Sequence, residues 1–163
     1  MVEPPRLDIN QLNPEAYRHL LQLEALVGRH VEPTLFHLIK LRASQINGCA
    51  FCLAMHTDQA LQHGEKPERI VSLDAWEESP LYTDKERAAL AWVEELTLIA
   101  DSGASKESFE ALKPHFSEEE IGWLILAAVQ INSWNRIAIS SRAQYDRAMF
   151  AHAAPAQKAT EPA

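Results

Sequence analysis

Only two cysteines occur in the 163-residue chain, and both lie in the stretch "NGCAFCLAMH". Cys49 and Cys52 are three residues apart, and His56 follows four after the second. On a helix beginning near Cys49, Cys49 and Cys52 stand almost one turn apart, and Cys52 and His56 are neighbours on one face. The free N–H groups of a helical first turn favour a thiolate, and an imidazolium one turn later would favour it further. Together these effects would bring a thiol pKa down from about 8.5 toward neutrality. Such a thiolate attacks the O–O bond of a peroxide to give a sulfenic acid. A second thiol three residues away condenses with that acid to form a disulfide. Cys-x-x-Cys is also half of many zinc sites, and two small cysteines can simply pack in a core. The pair alone is compatible with all three.

The elements that must position these residues read as helices. "NPEAYRHLLQLEALV" offers Asn13 as N-cap and Pro14 at the first helical position, for a helix over about 14–28. "EPTLFHLIKLRASQI" predicts a helix over about 34–46, with Thr34 as a candidate cap and Asn47-Gly48 as a left-handed stop. The cysteine-bearing helix should run from near Cys49 to His63, ending at Gly64. Pro67 opens a short fourth helix. Capping boxes at "TDKE" (83–86) and "SEEE" (117–120) start two more, the first expected to last about 17 residues. A weaker helix fits 105–114, and a last one is expected over about 133–150, after "QINSWN". No segment alternates with period two. The expected fold class is all-α, with seven or eight helices in one domain over residues 1–151. Residues 152–163, small and polar with two prolines, read as a disordered tail.

Composition narrows the function. Apolar residues make up 47% of the chain, enough for a core, and the formal net charge is −8. That charge, with no block of Lys or Arg, argues against a general nucleic-acid binder. The longest apolar run, "IGWLILAAVQI", falls short of the roughly 20 residues that span a bilayer. No basic run followed by an apolar stretch marks a signal peptide. The expectation is a cytoplasmic protein without membrane partners, in which paired cysteines are reactive or metal-binding sooner than structural.

"LRASQINGCAFCLAMH" resembles the core motif of the AhpD-like alkylhydroperoxidases of the carboxymuconolactone decarboxylase superfamily. "AAVQINSWNRIAIS" resembles a segment this group carries near its C-terminal end, so the likeness spans roughly residues 14–147. The resemblance implies an all-α fold, a homo-oligomer (trimer or hexamer) and a thiol-dependent peroxidase needing no haem, flavin or metal. By matching positions, Cys52 corresponds to the peroxidatic cysteine, Cys49 to the resolving one, and His56 to the histidine that relays a proton to the thiol. The partners implied are a hydroperoxide and an external thiol or dithiol reductant. The superfamily's decarboxylase branch generally lacks the cysteine pair, which makes decarboxylase or lactone chemistry the weaker alternative.

The chain departs from the pattern at one position. Twelve residues before the first cysteine, where much of the family has a relay glutamate, stands His37. A neutral histidine can accept a proton and orient His56, so His37 is a fourth candidate site residue. A partly exposed helix position without a role is the competing account. Spacing places neither Glu24 nor Glu32 in the site. Cys49, Cys52, His56 and His37 together would also make a Cys2His2 set that zinc accepts, leaving a non-enzymatic zinc-binding or redox-sensing module as the rival class. Trp92 and Trp123 are expected in the core. Asn132, Asn135 and Arg136 read as capping and surface pairing before they read as supports of the site. The wide apolar face of "TLFHLIKL" suggests a subunit contact.

Overall fold

The computed structural model describes residues 3–145. Among these, all regular structure is helical: α1 (Ile9–Leu12), α2 (Pro14–Val27), α3 (Pro33–Asn47), α4 (Ala50–Gln62), α5 (Pro67–Ser72), α6 (Asp84–Thr97), α7 (Ile99–Ser102), α8 (Lys106–Leu112) and α9 (Glu118–Ser141), with a 3-10 turn at Leu73–Ala75. The expected seven or eight helices are exceeded by two single turns, α1 and α7. The tail expected over 152–163 lies outside the described residues.

Helix α3 is the axis of the molecule, packed against α4, α6 and α9. Its residues Leu35 to Leu41 are all buried, including His37 and Lys40. A helix apolar nearly all round belongs inside. The wide face of "TLFHLIKL" is therefore consumed within the chain, not left over for a second subunit. On one side Leu35, Phe36 and Ile39 join Trp92, Leu124 and Ile131 in the larger apolar cluster. On the other, Leu38 and Leu41 meet Ala60, Leu73, Trp76 and Leu90. Trp92 is core as expected, whereas Trp123 is only partly buried and stacks on His30 at 4.0 Å.

Local chemistry fixes both ends of α3. Its N-cap is Glu32, whose carboxylate accepts from the N–H groups of Thr34 and Leu35, with Pro33 at the first position; Thr34 is not the cap. At its C-terminus Gly48 takes φ 68°, ψ 34°. This left-handed stop, cheap only for glycine, turns the chain directly into α4.

Two expected boundaries are corrected. The helix opened by the Thr83–Glu86 capping box ends at Thr97, after 14 residues, because Leu98 leaves helical geometry at ψ 31°. No break separates "IGWLILAAVQI" from a helix at 133–150. Helix α9 runs unbroken for 24 residues, about 36 Å at 1.5 Å per residue. The polar residues that suggested a break bond back into the same helix: Asn132 Nδ2 donates to Ala128 O, and Ser133 Oγ donates to Val129 O. The helix stops at Arg142, which takes a left-handed φ of 55°. Its remaining expected span, beyond Tyr145, lies outside the described residues. No helix among the described residues is long and apolar enough to cross a membrane.

Candidate active site: a cysteine pair at the wall of an apolar cavity

Cys49 is itself the N-cap of α4. Its backbone is extended (φ −86°, ψ 94°), and its Sγ accepts the N–H of Cys52 at 3.3 Å. A cap position this close to the first turn brings the two Cα atoms to 5.3 Å, within the range a disulfide needs. The two sulfurs are joined in a disulfide. Cys49 and Cys52 are 1% and 2% exposed. Burial here comes from α9, whose Ala138 packs on both cysteines with Phe51 and Ala143.

The turn carrying Cys49 is braced from α9. Asn47 Nδ2 donates to Asn132 Oδ1 at 3.0 Å and Asn135 Oδ1 at 2.9 Å, and Asn135 Nδ2 donates to Ser44 Oγ at 3.0 Å. Arg136 reaches back to Asn132 Oδ1 at 2.8 Å. The expectation of ordinary capping and surface pairing is thus overturned for the buried Asn132 and Asn135, whereas the exposed Arg136 pairs along its own helix as expected. Asn135 is fully buried, and the network clamps the end of α3 to α9 one residue before Gly48.

Cys52 opens onto a cavity of about 480 Å3. His56, Gln59, Phe51 and Met55 line it from α4, Tyr17, Leu21 and Glu24 from α2, and Trp134 and Ile137 from α9. Residues 5 and 7–10, leading into α1, close its rim. Cys49 is absent from this lining and faces a second, smaller hollow of about 320 Å3 with Gly48, Arg142 and Gln144. The cavity therefore gathers Cys52 and His56, with Cys49 bonded on from its far side.

Hydrogen bonding and burial decide the state of the imidazole. His56 Nδ1 lies 2.9 Å from Gln59 Oε1, so Nδ1 carries the proton and donates it. Nε2 is buried, has no hydrogen-bond partner, and keeps its lone pair. Burial, with the Lys40 ammonium second, pushes the pKa of His56 down to about 3, against which the Gln59 bond works only in part. His56 is thus a neutral imidazole with a free acceptor nitrogen in the site.

His37 sits elsewhere. It is 6% exposed, so the expectation of a partly exposed residue is not met. It does not line the cavity. Its ring packs on that of His63 at 4.7 Å, and its Nδ1 is buried without a partner. Burial first, then Lys40 and His63, lower its pKa to about 4, with Glu32 opposing. Sequence reasoning missed two residues beside this group. Lys40 is buried and bonds Glu24 Oε1 at 3.1 Å, with Phe36 under its ammonium at 4.1 Å. Glu24 Oε2 accepts from Trp134 Nε1 at 3.2 Å. A lysine inside the apolar run "LFHLIKL" was the available signal for a buried charge in need of a partner. Nothing in the spacing could say that the partner was Glu24. Among the described residues no three His, Cys, Asp or Glu side chains are gathered to hold a metal ion. The Cys2His2 alternative thus loses its geometry, with both sulfurs bonded to each other.

An all-α domain built round a central helix, with a disulfide at the start of the next one, defines a class of thiol-bearing helical proteins. The chain belongs to the carboxymuconolactone decarboxylase family, whose pattern it matches over residues 14–95, and within it to the AhpD-like branch. It is 39% identical over 136 residues to the uncharacterized protein YdfG of Bacillus subtilis (strain 168), a match covering 83% of this chain and 92% of that one. A crystal structure of an Agrobacterium tumefaciens protein of unknown function, provisionally assigned to antioxidant defence as an AhpD, superposes with a TM-score of 0.85. That protein is 44% identical, with 88% of this chain and 99% of that one covered. The debrominase Bmp8 shares the fold at a TM-score of 0.72 and 21% identity, over 85% of this chain and 75% of its own.

Proposed function

We propose that this protein is a thiol-dependent peroxidase that reduces hydroperoxides. One observation carries the reading: Cys49 and Cys52 are joined in a disulfide, and Cys52 shares a cavity wall with a neutral imidazole. In the reduced enzyme Cys52 gives its proton to His56 Nε2 and attacks the terminal oxygen of R–O–O–H. The O–O bond breaks, Cys52 becomes the sulfenic acid, and R–OH leaves. The Cys49 thiol then displaces water from the sulfenic acid and closes the disulfide. An external dithiol reopens it, becoming a disulfide itself. The Cα separation and the cap position allow both redox states without unwinding α4, and the apolar walls suit an organic R group. His37, behind the cavity, is assigned a supporting part through its effect on His56. We assign the protein to the cytoplasm, where dithiol reductants are available, and expect it to work as a homo-oligomer.

The reading is tested by peroxide consumption with cumene hydroperoxide and dithiothreitol. Cys52→Ser should fall to the uncatalysed background. Cys49→Ser should stop after one turnover and leave a sulfenic acid that dimedone traps. Wild-type turnover by Cys52→Ser would overturn the assignment. A wild-type protein that reacts once and is not recycled by dithiol would instead be a redox sensor. The debrominase shares the fold only, and one fold hosts several chemistries, so its substrate is not carried over.

A further inference from the structure

A disulfide offers a reductant two sulfurs, and here they face different hollows. Cys52 lines the cavity of about 480 Å3, and Cys49 does not. Cys49 lines the neighbouring hollow of about 320 Å3, and Cys52 does not. Phe51, Ala138, Ala143 and Gln144 border both and form the partition. The two sides differ in charge. Among the described residues, the cavity is lined by two acidic residues, Asp8 and Glu24, and by no Lys or Arg. The hollow is lined by Arg142, its one cation among the described residues. That guanidinium already holds a carboxylate. Glu3 reaches across from the N-terminal segment to pair with Arg142, and its backbone carbonyl accepts from Gln144 Nε2 at 2.9 Å. The Glu3 side chain is 63% exposed, so this ion pair is easily parted. Arg142 is also the left-handed C-cap of α9, a position that glycine fills at least cost. Here the position carries the guanidinium that lines the hollow.

We propose that the hollow beside Cys49 is the reductant's site, taking a thiol that bears a carboxylate, which Arg142 binds in place of Glu3, while the hydroperoxide uses the Cys52 cavity. This rests on the peroxidase reading, which requires an external thiol. A thiolate attacks one sulfur of a disulfide and expels the other. A nucleophile in the hollow meets Cys49 Sγ and expels Cys52 Sγ. In the first exchange R–SH and Cys49–S–S–Cys52 become Cys49–S–S–R and Cys52–SH, the proton of R–SH passing to the departing Cys52 sulfur. A second R–SH then attacks the R sulfur, giving R–S–S–R and Cys49–SH. Two external thiols are oxidised to one disulfide, and the protein disulfide is reduced to two thiols. The first exchange already returns the Cys52 thiol to the cavity where the next hydroperoxide arrives. Oxidant and reductant therefore do not compete for one space, and the acidic residues on the cavity side keep an anionic thiol from Cys52.

The test starts from protein oxidised with diamide, so it needs no peroxide. The protein is mixed with 3-mercaptopropionate, which carries a carboxylate, or with 2-mercaptoethanol, which does not. Free protein thiols are counted after rapid acid quench and alkylation. Comparing each variant with wild type for each thiol cancels the thiols' different intrinsic reactivities. Arg142→Gln should slow 3-mercaptopropionate about fivefold and 2-mercaptoethanol by less than about twofold, the scale of a partly exposed ion pair. Arg142→Lys should recover most of the loss. Glu3→Gln frees the guanidinium and should speed the anionic thiol about twofold. Tandem mass spectrometry of the quenched wild-type protein should find the mercaptopropionate adduct on Cys49 and the alkyl group on Cys52. An adduct on Cys52 would overturn the proposal, as would an Arg142→Gln variant that slows both thiols equally or neither. A wild-type protein that consumes no peroxide would instead sink the peroxidase reading, a result the diamide-oxidised comparison does not depend on.

Discussion

At the residue scale, the behaviour of the site is set by two histidines kept neutral. Burial and the Lys40 charge lower His56 to about 3 and His37 to about 4 from an ordinary value near 6.5. Between those limits the unfolded chain binds protons that the folded one refuses, so stability rises with pH through this window and is lost as pH falls below about 6.5. Carboxylates do not confuse the upper part of it. Glu86, whose Arg69 and Thr83 partners outweigh its burial, is held below the usual carboxylate range and loses its contribution only at lower pH. We therefore expect the urea unfolding free energy to drop on the order of a few kcal/mol from pH 7 to 4.5. His56→Gln should flatten that slope visibly. An unchanged slope in both His56→Gln and His37→Gln would show that neither ring is held neutral. For the same reason, His56 should give no break in the pH–rate profile between pH 5 and 7.

Elements matter here because the reactive turn is short and everything on it is aimed by the residues that precede it. Gly48 must take φ 68°, so Gly48→Ala should destabilise by about 1 kcal/mol through backbone strain alone, with no atom in the path of the new methyl. The Asn47–Asn132–Asn135 clamp is a different case, because its members are buried and satisfy one another. Asn135→Leu would strand the hydroxyl of Ser44 and take one of three acceptors from the Asn47 amide, which keeps Asn132 Oδ1 and Ala43 O, and should cost about 1–3 kcal/mol in chemical denaturation. It should also loosen the Cys49 turn, seen as slower disulfide closure after a single peroxide turnover. Ser117 starts the long α9 with a full capping box, and Ser117→Ala should cost about 1 kcal/mol without touching closure kinetics. The contrast between the last two variants separates general stability from support of the site.

For the whole molecule, the decisive fact is that α3, like α6 packed beside it, serves both apolar clusters. Ile39 faces the larger cluster and Leu38 the smaller, on adjacent positions of α3. Loss of either side chain should therefore weaken the whole domain. Ile39→Ala and Leu38→Ala should each cost about 2–5 kcal/mol, in one transition, with tryptophan fluorescence and far-UV circular dichroism coincident. Two separated transitions would mean that the clusters fold independently and that α3 is not shared in the way its burial implies.

The chain by itself determined the all-α class, most helix starts and the placing of Cys49, Cys52 and His56 at the cap and first two turns of one helix. These depend on near neighbours: caps, a left-handed glycine, and side chains three or four residues apart. Fold family was legible too, because the motif is contiguous. What the sequence could not convey depends on distant segments meeting. The unbroken α9 was hidden because Asn132 and Ser133 look like breakers until their side chains are seen bonding back to the preceding turn. Burial of His37 and Lys40 was hidden because an amphipathic pattern says which face is apolar, not how many neighbours will cover the polar one. Glu24 is sixteen residues from Lys40 and 110 from Trp134. Only packing of α2, α3 and α9 brings these groups together, and a carboxylate without local sequence partners gives no sign of that in advance.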